Sequence, residues 1–511
     1  MTEGGSIVGQ LSPDGRWRWD GATWQPASPA TVTRPDPGWL KVELRAAATW
    51  LTVACALLIG LVADQWLRVG TFGLAASLTL AITALSLMFA GRLMTLASRA
   101  LAAGAVLFGA WLTVRASPWL LWPDLVMSFA LLGLAASLSV RGSLMDLGIA
   151  ELVARSVHGV MHGAAGAAFV FKPLRRVRMR LSAIAPLARG MLIAAPIAIL
   201  VAGLLAAADP VFASFFNLNF DFGQLLTDVA FVAAGSLVAA GLLRLAAAEP
   251  LTRVDGPMWR LGSTEGLVVL AVLDAIFAAF AVAQAMAATG AAGDTLRAAG
   301  VTYADYARSG FFQLLWVAGI TAVVLILFSR ITGLTERSTR RAFRVLAQVA
   351  IGLTLLIVFV AFRRLSLYED AYGFTMLRLY SHIFAVWIAI VFLLLAAETA
   401  GMFPRHRWLV GATSLSAMAL LLGLNLLNPE ATVVNLNLDH ARVTHKMDPQ
   451  YLAELSSDAT PTLLANRSLV DQSIGRDISR VACAGPHTYS ASLAGYNWSD
   501  AAAANARREG C

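Results

Sequence analysis

Leu267-Val-Val-Leu-Ala-Val-Leu-Asp274-Ala-Ile-Phe-Ala-Ala-Phe-Ala-Val-Ala-Gln284 is apolar throughout except for one carboxylate and the closing amide. Wound as a helix it would reach about 27 Å, close to the hydrocarbon thickness of a bilayer. Similar stretches flank it. Together they lie near 46–63, 69–90, 98–114, 119–140, 189–208, 224–247, 264–289, 308–328, 343–362, 377–397 and 406–427. Each has the roughly 17–25 residues that a membrane-spanning helix needs. The expected fold is an all-α polytopic membrane protein with about eleven transmembrane helices.

Composition agrees: 58% of the 511 residues are hydrophobic and 14% charged. The formal charge of +8 suggests nucleic acid at first sight. Its placement argues for no nucleic-acid partner, because most of the excess lies in short loops beside spans. The 141–188 loop carries Arg141, Arg155, Lys172, Arg175, Arg176, Arg178 and Arg180, and the 329–342 loop carries Arg330, Arg337, Arg340 and Arg341. Both are expected on the cytoplasmic side, with Arg175, Arg176, Arg178 and Arg180 facing anionic lipids. The connection at 209–223 holds Asp209 and Asp221 without a basic residue, which suits the outside. Counting from these anchors puts the N-terminus in and the C-terminus out, in a bacterial plasma (inner) membrane. The abundance of alanine and the near absence of lysine (Lys41, Lys172, Lys446) suggest a high-GC, actinobacterial-like genome. Residues 1–45 are polar and run directly into a full-length span, so the first helix is expected to stay as an anchor.

Residues 1–25 include Pro13-Asp14-Gly15-Arg16-Trp17-Arg18-Trp19-Asp20-Gly21-Ala22-Thr23-Trp24. Turn signals alternate with tryptophans, which predicts a tiny β-hairpin or three-stranded meander. The W-x-W-D-G-x-x-W pattern resembles the module called domain of unknown function 2510. It reads either as a self-packed ornament or as a docking knob for a protein partner. Residues 26–45, with Pro26, Pro29, Pro35 and Pro37, form a stiff linker.

Within 143–171, Glu151, Arg155, His158 and His162 recur at helical spacing, predicting an interfacial helix with a solvated polar stripe. His158 and His162 also have metal-ligand spacing, but no cysteine or third histidine lies nearby, so no metal is expected. The tail, 428–511, is expected to be helical and extracytoplasmic. Asp448-Pro449 and Thr460-Pro461 read as helix starts, and Ser499-Asp500 opens a last alanine-rich helix. Cys483 and Cys511 both lie in this tail, and an oxidising exterior would let them form a disulfide.

No soluble-enzyme motif is present: no Walker loop, G-x-G-x-x-G, H-E-x-x-H, C-x-x-C or G-x-S-x-G. Catalysis is therefore the minority expectation, without a catalytic residue or cofactor to name. Asp274 stands out because a bare carboxylate at mid-membrane is expensive. It reads either as a proton- or cation-coupling site or as a protonated acid bonded to a neighbouring helix, with Gln284 and Gln348 as candidate neighbours. Asp124 and Asp228 fall near outer span ends and are expected at the interface.

Two outer segments are unusually polar. In the first, Thr302 is read as a helix cap and Tyr306 and Arg308 sit at headgroup depth. In the second, helical spacing aligns Arg364, Tyr368, Tyr372 and Thr375, while Arg378 and His382 are four apart. These read either as a binding mouth or as an aromatic belt with charges paired by Glu369 or Asp370. Tyr306-Ala307-Arg308-x-Gly310-Phe311-Phe312, Ala371-Tyr372-Gly373-x-Thr375-x-x-Arg378-x-Tyr380, Ala208-Asp209-Pro210 and the tail's Tyr451-Leu452-x-x-Leu455-Ser456-x-Asp458-Ala459-x-Pro461 resemble the bacterial membrane family called domain of unknown function 4153/4173. That resemblance implies the polytopic fold and transfers no activity. Three classes follow: a transporter or channel-like protein using Asp274, a scaffold or sensor docking partners through the Trp-rich module and the tail, and a membrane-embedded enzyme on lipid or cell-wall precursors.

Overall fold

Thr49 and Thr52 exchange side-chain and backbone hydrogen bonds where the first long helix begins, satisfying two otherwise orphaned amides. That helix belongs to a computed structural model describing residues 17–26, 43–180, 222–251, 260–288, 310–334, 336–402 and 407–511, with isolated positions at 10, 12 and within 190–209. The chain divides into two units, Met1–Val42 and Glu43–Cys511.

In the first unit, β1 (Trp17–Trp19) pairs antiparallel with β2 (Trp24–Pro26), setting Trp19 opposite Trp24 with ring centroids 5.4 Å apart. Asp20 shapes the turn by accepting from the Thr23 and Ala22 amides, and these bonds hold its carboxyl down at about 2. Trp17 and Trp24 remain exposed.

The second unit is helical: α1 (Trp50–Val69), α2 (Leu74–Phe89), α3 (Leu96–Val114), α4 (Pro118–Ser137), α5 (Ile149–Ala164), α6 (Gly166–Arg180), α7 (Phe222–Ala246), α8 (Ser263–Ala288), α9 (Phe311–Ile331), α10 (Arg337–Tyr372), α11 (Met376–Ala400) and α12 (Leu409–Leu427). Among the described residues nine of these are long and apolar enough to cross a membrane, and α2 is a shorter apolar helix beside them. The protein is an all-α polytopic membrane protein. The expected span at 189–208 lies largely outside the described residues.

Two apolar clusters organise the bundle. One joins α1 to α4 with α7, and the other joins α8 to α11; α12 packs on both α11 and α4. Small residues let α1 and α7 touch closely, since a Cβ at Gly60 would lie 2.5 Å from the Val232 carbonyl oxygen.

Helix ends segregate into two faces. On one, Arg45 donates to the Ala246 carbonyl, Ser139 donates to the same carbonyl, Leu261 pairs with Thr332 and Gly148 abuts Arg407. On the other lie Arg68 with Asp228, Arg364 with Gln284, and the tail.

The tail contains α13 (Pro429–Thr444), α14 (Pro449–Ala453), α15 (Thr460–Asn466), α16 (Gln472–Ala482) and α17 (Trp498–Gly510) around its own small core. Asp448 caps α14 by accepting from the Gln450 and Tyr451 amides. Thr460 is not a cap: α15 is preceded by Ala459, and Thr460 accepts from Arg507 instead. Asn497 rather than Ser499 caps α17. The Cys483 and Cys511 sulfurs are bonded, with Cα atoms 5.9 Å apart.

Several sequence expectations need correction. The polar stripe of α5 is buried, not solvated. Glu151, Arg155, His158 and His162 face protein, while Val153, Val157 and Val160 are exposed. Arg155 pairs with Glu151 at 2.8 Å and donates to the Ser137 carbonyl, so the charges satisfy one another. Asp124 is fully buried rather than open to water, and the Asn425 amide on α12 donates to it at 2.8 Å. α1 extends to Val69 and buries Asp64, which with Asp228 flanks Arg68.

The tail is clamped to the bundle through Asp458. Its carboxylate accepts from the Ala116 amide at 3.1 Å, the Ser117 amide at 2.9 Å and the Ser499 hydroxyl, with Arg115 at 3.8 Å. Breaking a buried, multiply bonded charge of this kind costs about 3 kcal/mol. Asp458→Ala should therefore lower the thermal midpoint of the detergent-solubilised protein markedly, and an unchanged midpoint would contradict the clamp.

Candidate functional site

Helix α10 continues beyond its apolar run 343–362 through the more polar residues 363–372. Gly373 then breaks it with φ 75°, in the left-handed region that glycine tolerates best, and a Cβ there would meet Asn437 Oδ1 at 2.9 Å. Asn437, on α13, accepts from the Phe374 amide at 2.9 Å and donates to the Phe374 carbonyl at 2.8 Å. Thr375 opens α11, accepting from the Arg378 amide. It therefore does not continue the stripe of Arg364, Tyr368 and Tyr372. The Tyr451 hydroxyl accepts from the Met376 amide at 2.7 Å. Burial raises the Tyr451 phenol above its usual value, and that amide bond opposes the shift.

Between this turn and the tail lies a cavity of about 640 Å³, whose lining includes Tyr372, Arg378, His440, Thr444, Lys446 and Tyr451. The Arg378 guanidinium lies 4.3 Å from the centre of the Tyr368 ring and donates to the Tyr372 and Gly373 carbonyls. These contacts fix the cation at the mouth. Asp448 also lines the cavity, but its carboxylate is engaged by the α14 amides.

The mouth gathers Tyr368, Tyr372 and Arg378. His382 is turned inward, with Nδ1 3.1 Å from Glu369 and Nε2 3.2 Å from the Ser366 hydroxyl. Arg364 donates to Gln284. Tyr306 and Arg308 lie outside the described residues, as do the side chains of Arg175, Arg176, Arg178 and Arg180. Reasoning from sequence missed Asn437, His440 and Lys446; Tyr451 and Asp458 were visible only as members of the tail motif.

Asp274 sits midway along α8 with 7% of its surface exposed, and among the described residues neither carboxylate oxygen has a hydrogen-bond partner. Gln284 and Gln348 are committed elsewhere: Gln348 donates to the Ala396 carbonyl and to Thr399 on α11.

The family described as Domain of unknown function (DUF4153) matches residues 102–466. The chain belongs to this family. No curated protein and no solved structure matches it. The DUF4153 match includes Asp274, the mouth and Asp458, and excludes the Trp-rich strands and the cysteine pair.

On the opposite face, Arg244 and His162 Nδ1 lie 3.2 Å apart. Arg244 can only donate, so Nδ1 accepts and the ring proton sits on Nε2, which is buried without a partner among the described residues. Burial, then Arg244, then His158 depress this imidazole to about 4. With a folded value below the unfolded one, the unfolded chain binds more protons as pH falls. Stability should therefore be present above about 6.5 and decline as pH drops toward 4. His162→Gln should flatten that part of the melting-point profile; an unaltered slope would contradict the assignment.

Proposed function

We propose that this DUF4153 protein is a multi-pass protein of a bacterial plasma membrane, N-terminus in and C-terminus out, that recognises a ligand at an outer-face mouth for sensing or docking. The observation that carries this reading is the 640 Å³ cavity, walled on one side by the α10–α11 turn and on the other by the tail. Asn437 and Tyr451 pin the two walls together, so an occupant contacts the membrane domain and the tail at once. The Trp-rich strands, with Trp17 and Trp24 exposed, serve as a cytoplasmic docking module in this scheme, and the basic loop with Arg175, Arg176, Arg178 and Arg180 lies on anionic lipids. An enzyme on lipid or cell-wall precursors would use the same mouth, but Arg364 and His382 are occupied by Gln284 and Glu369.

Thr444→Cys tests location and shape together, since Cys483 and Cys511 are bonded to each other and Cys55 lies within α1. A membrane-impermeant maleimide should label Thr444→Cys in intact cells, more slowly than Val443→Cys, whose position is 81% exposed. Labelling only after permeabilisation would overturn the orientation. Equal rates would argue against a confining cavity.

Transport is the second reading, favoured by the oxygens of Asp274, which have no hydrogen-bond partner among the described residues. A bare carboxylate at that depth is expensive, which is what a coupling site would exploit. The apolar reagent dicyclohexylcarbodiimide, which adds to the protonated acid, should modify Asp274 at neutral pH and spare Asp274→Asn. Failure to modify it would remove the support for a proton-coupled path.

A further inference from the structure

Resting on the reading of the mouth as a ligand site, we propose that its ligand is a phosphate-bearing headgroup, taken from a lipid of the outer leaflet. Three cationic or potentially cationic groups line the cavity: Arg378, Lys446 and His440. The one carboxylate among the lining residues, Asp448, already accepts from two backbone amides. Those bonds leave its charge in place, but Arg378 and Lys446 outnumber it, so the cavity presents a surplus of positive charge. A guanidinium held in place by Tyr368 and two carbonyls offers its remaining N–H groups in a fixed direction, the geometry that phosphate recognition favours.

Depth favours a lipid as the source. The uninterrupted apolar run of α11 begins at Ile383, and Arg378 precedes it by five residues, or about 7 Å along the axis. That is the level of the headgroups, just beyond the hydrocarbon core. The aromatic girdle marks the same level. The Tyr380 hydroxyl donates to the Trp119 carbonyl at 3.0 Å, and Trp119 and Trp122 are exposed on the first turns of α4. Tyr372 and Leu377 are exposed beside Arg378, apolar surface against which the glycerol and upper acyl segments of a lipid can lie.

The test uses the full-length protein in a neutral detergent, titrated with phosphatidylglycerol and read by native mass spectrometry. Lys446→Gln should weaken binding about threefold and Arg378→Gln about tenfold. Arg378 also holds the end of α10, so the exposed Lys446 keeps the test sound if Arg378→Gln fails to fold. Thr444→Phe, which fills the cavity, should abolish specific binding. Soluble glycerol phosphate separates the sources: failure to displace the lipid supports a membrane headgroup, and displacement at low concentration assigns the site to free phosphate esters. If Lys446→Gln and Lys446→Glu bind phosphatidylglycerol like the wild type while Thr444→Phe blocks it, the phosphate assignment is overturned and the mouth survives as a site for an uncharged ligand. If Thr444→Phe changes nothing, both the phosphate assignment and the mouth itself fall.

Discussion

A helix that starts in the bundle leaves its first amides without intrahelical partners, and on one face of this protein the tail supplies them. The Ala494 and Tyr496 carbonyls accept from the Ala75 and Leu74 amides at the start of α2. Asp458 accepts from Ala116 and Ser117 ahead of α4, and Tyr451 accepts from Met376 at the start of α11. Three separate helix starts are thus completed by residues far away in sequence. The tail is part of the fold of the membrane domain, and the cavity exists because the tail reaches the α10–α11 turn.

The buried carboxylates divide on the same principle. Asp124, Asp458 and Glu430 are almost wholly enclosed, and each has a donor: Asn425 for Asp124, backbone amides and Ser499 for Asp458, and Ser456 for Glu430. Burial raises the Glu430 carboxyl, while the bonds from Ser456 oppose the rise. Asp124 ties α12 to α4, Glu430 braces the tail internally, and Asp458 holds the tail to the bundle. Asp274 is enclosed without such donors among the described residues, which sets it apart from the clamp.

Hydropathy made the spans legible because length and apolarity alone decide whether a segment can cross a bilayer. Periodicity was less complete as a guide. It placed Glu151, Arg155, His158 and His162 on one face of α5, but which face meets protein depends on α4 and α7, whose Ser137 and Arg244 receive the stripe. The burial of Asp124 was hidden for the same reason, since its partner Asn425 is distant in the chain. The lining of the cavity was half legible: Tyr372 and Arg378 stand in a conspicuous polar segment, whereas Asn437, His440 and Lys446 lie in an ordinary-looking tail that only the fold brings opposite.

The most direct measurement is a cryo-EM map of the protein in lipid nanodiscs, refined without imposing a position on the tail. The account predicts continuous density from the α10–α11 turn through Asn437 into α13, Asp458 against the start of α4, and a cavity between turn and tail at headgroup height. A tail that averages away while the helices remain sharp, or that packs elsewhere and leaves the starts of α2, α4 and α11 open to solvent, would contradict it.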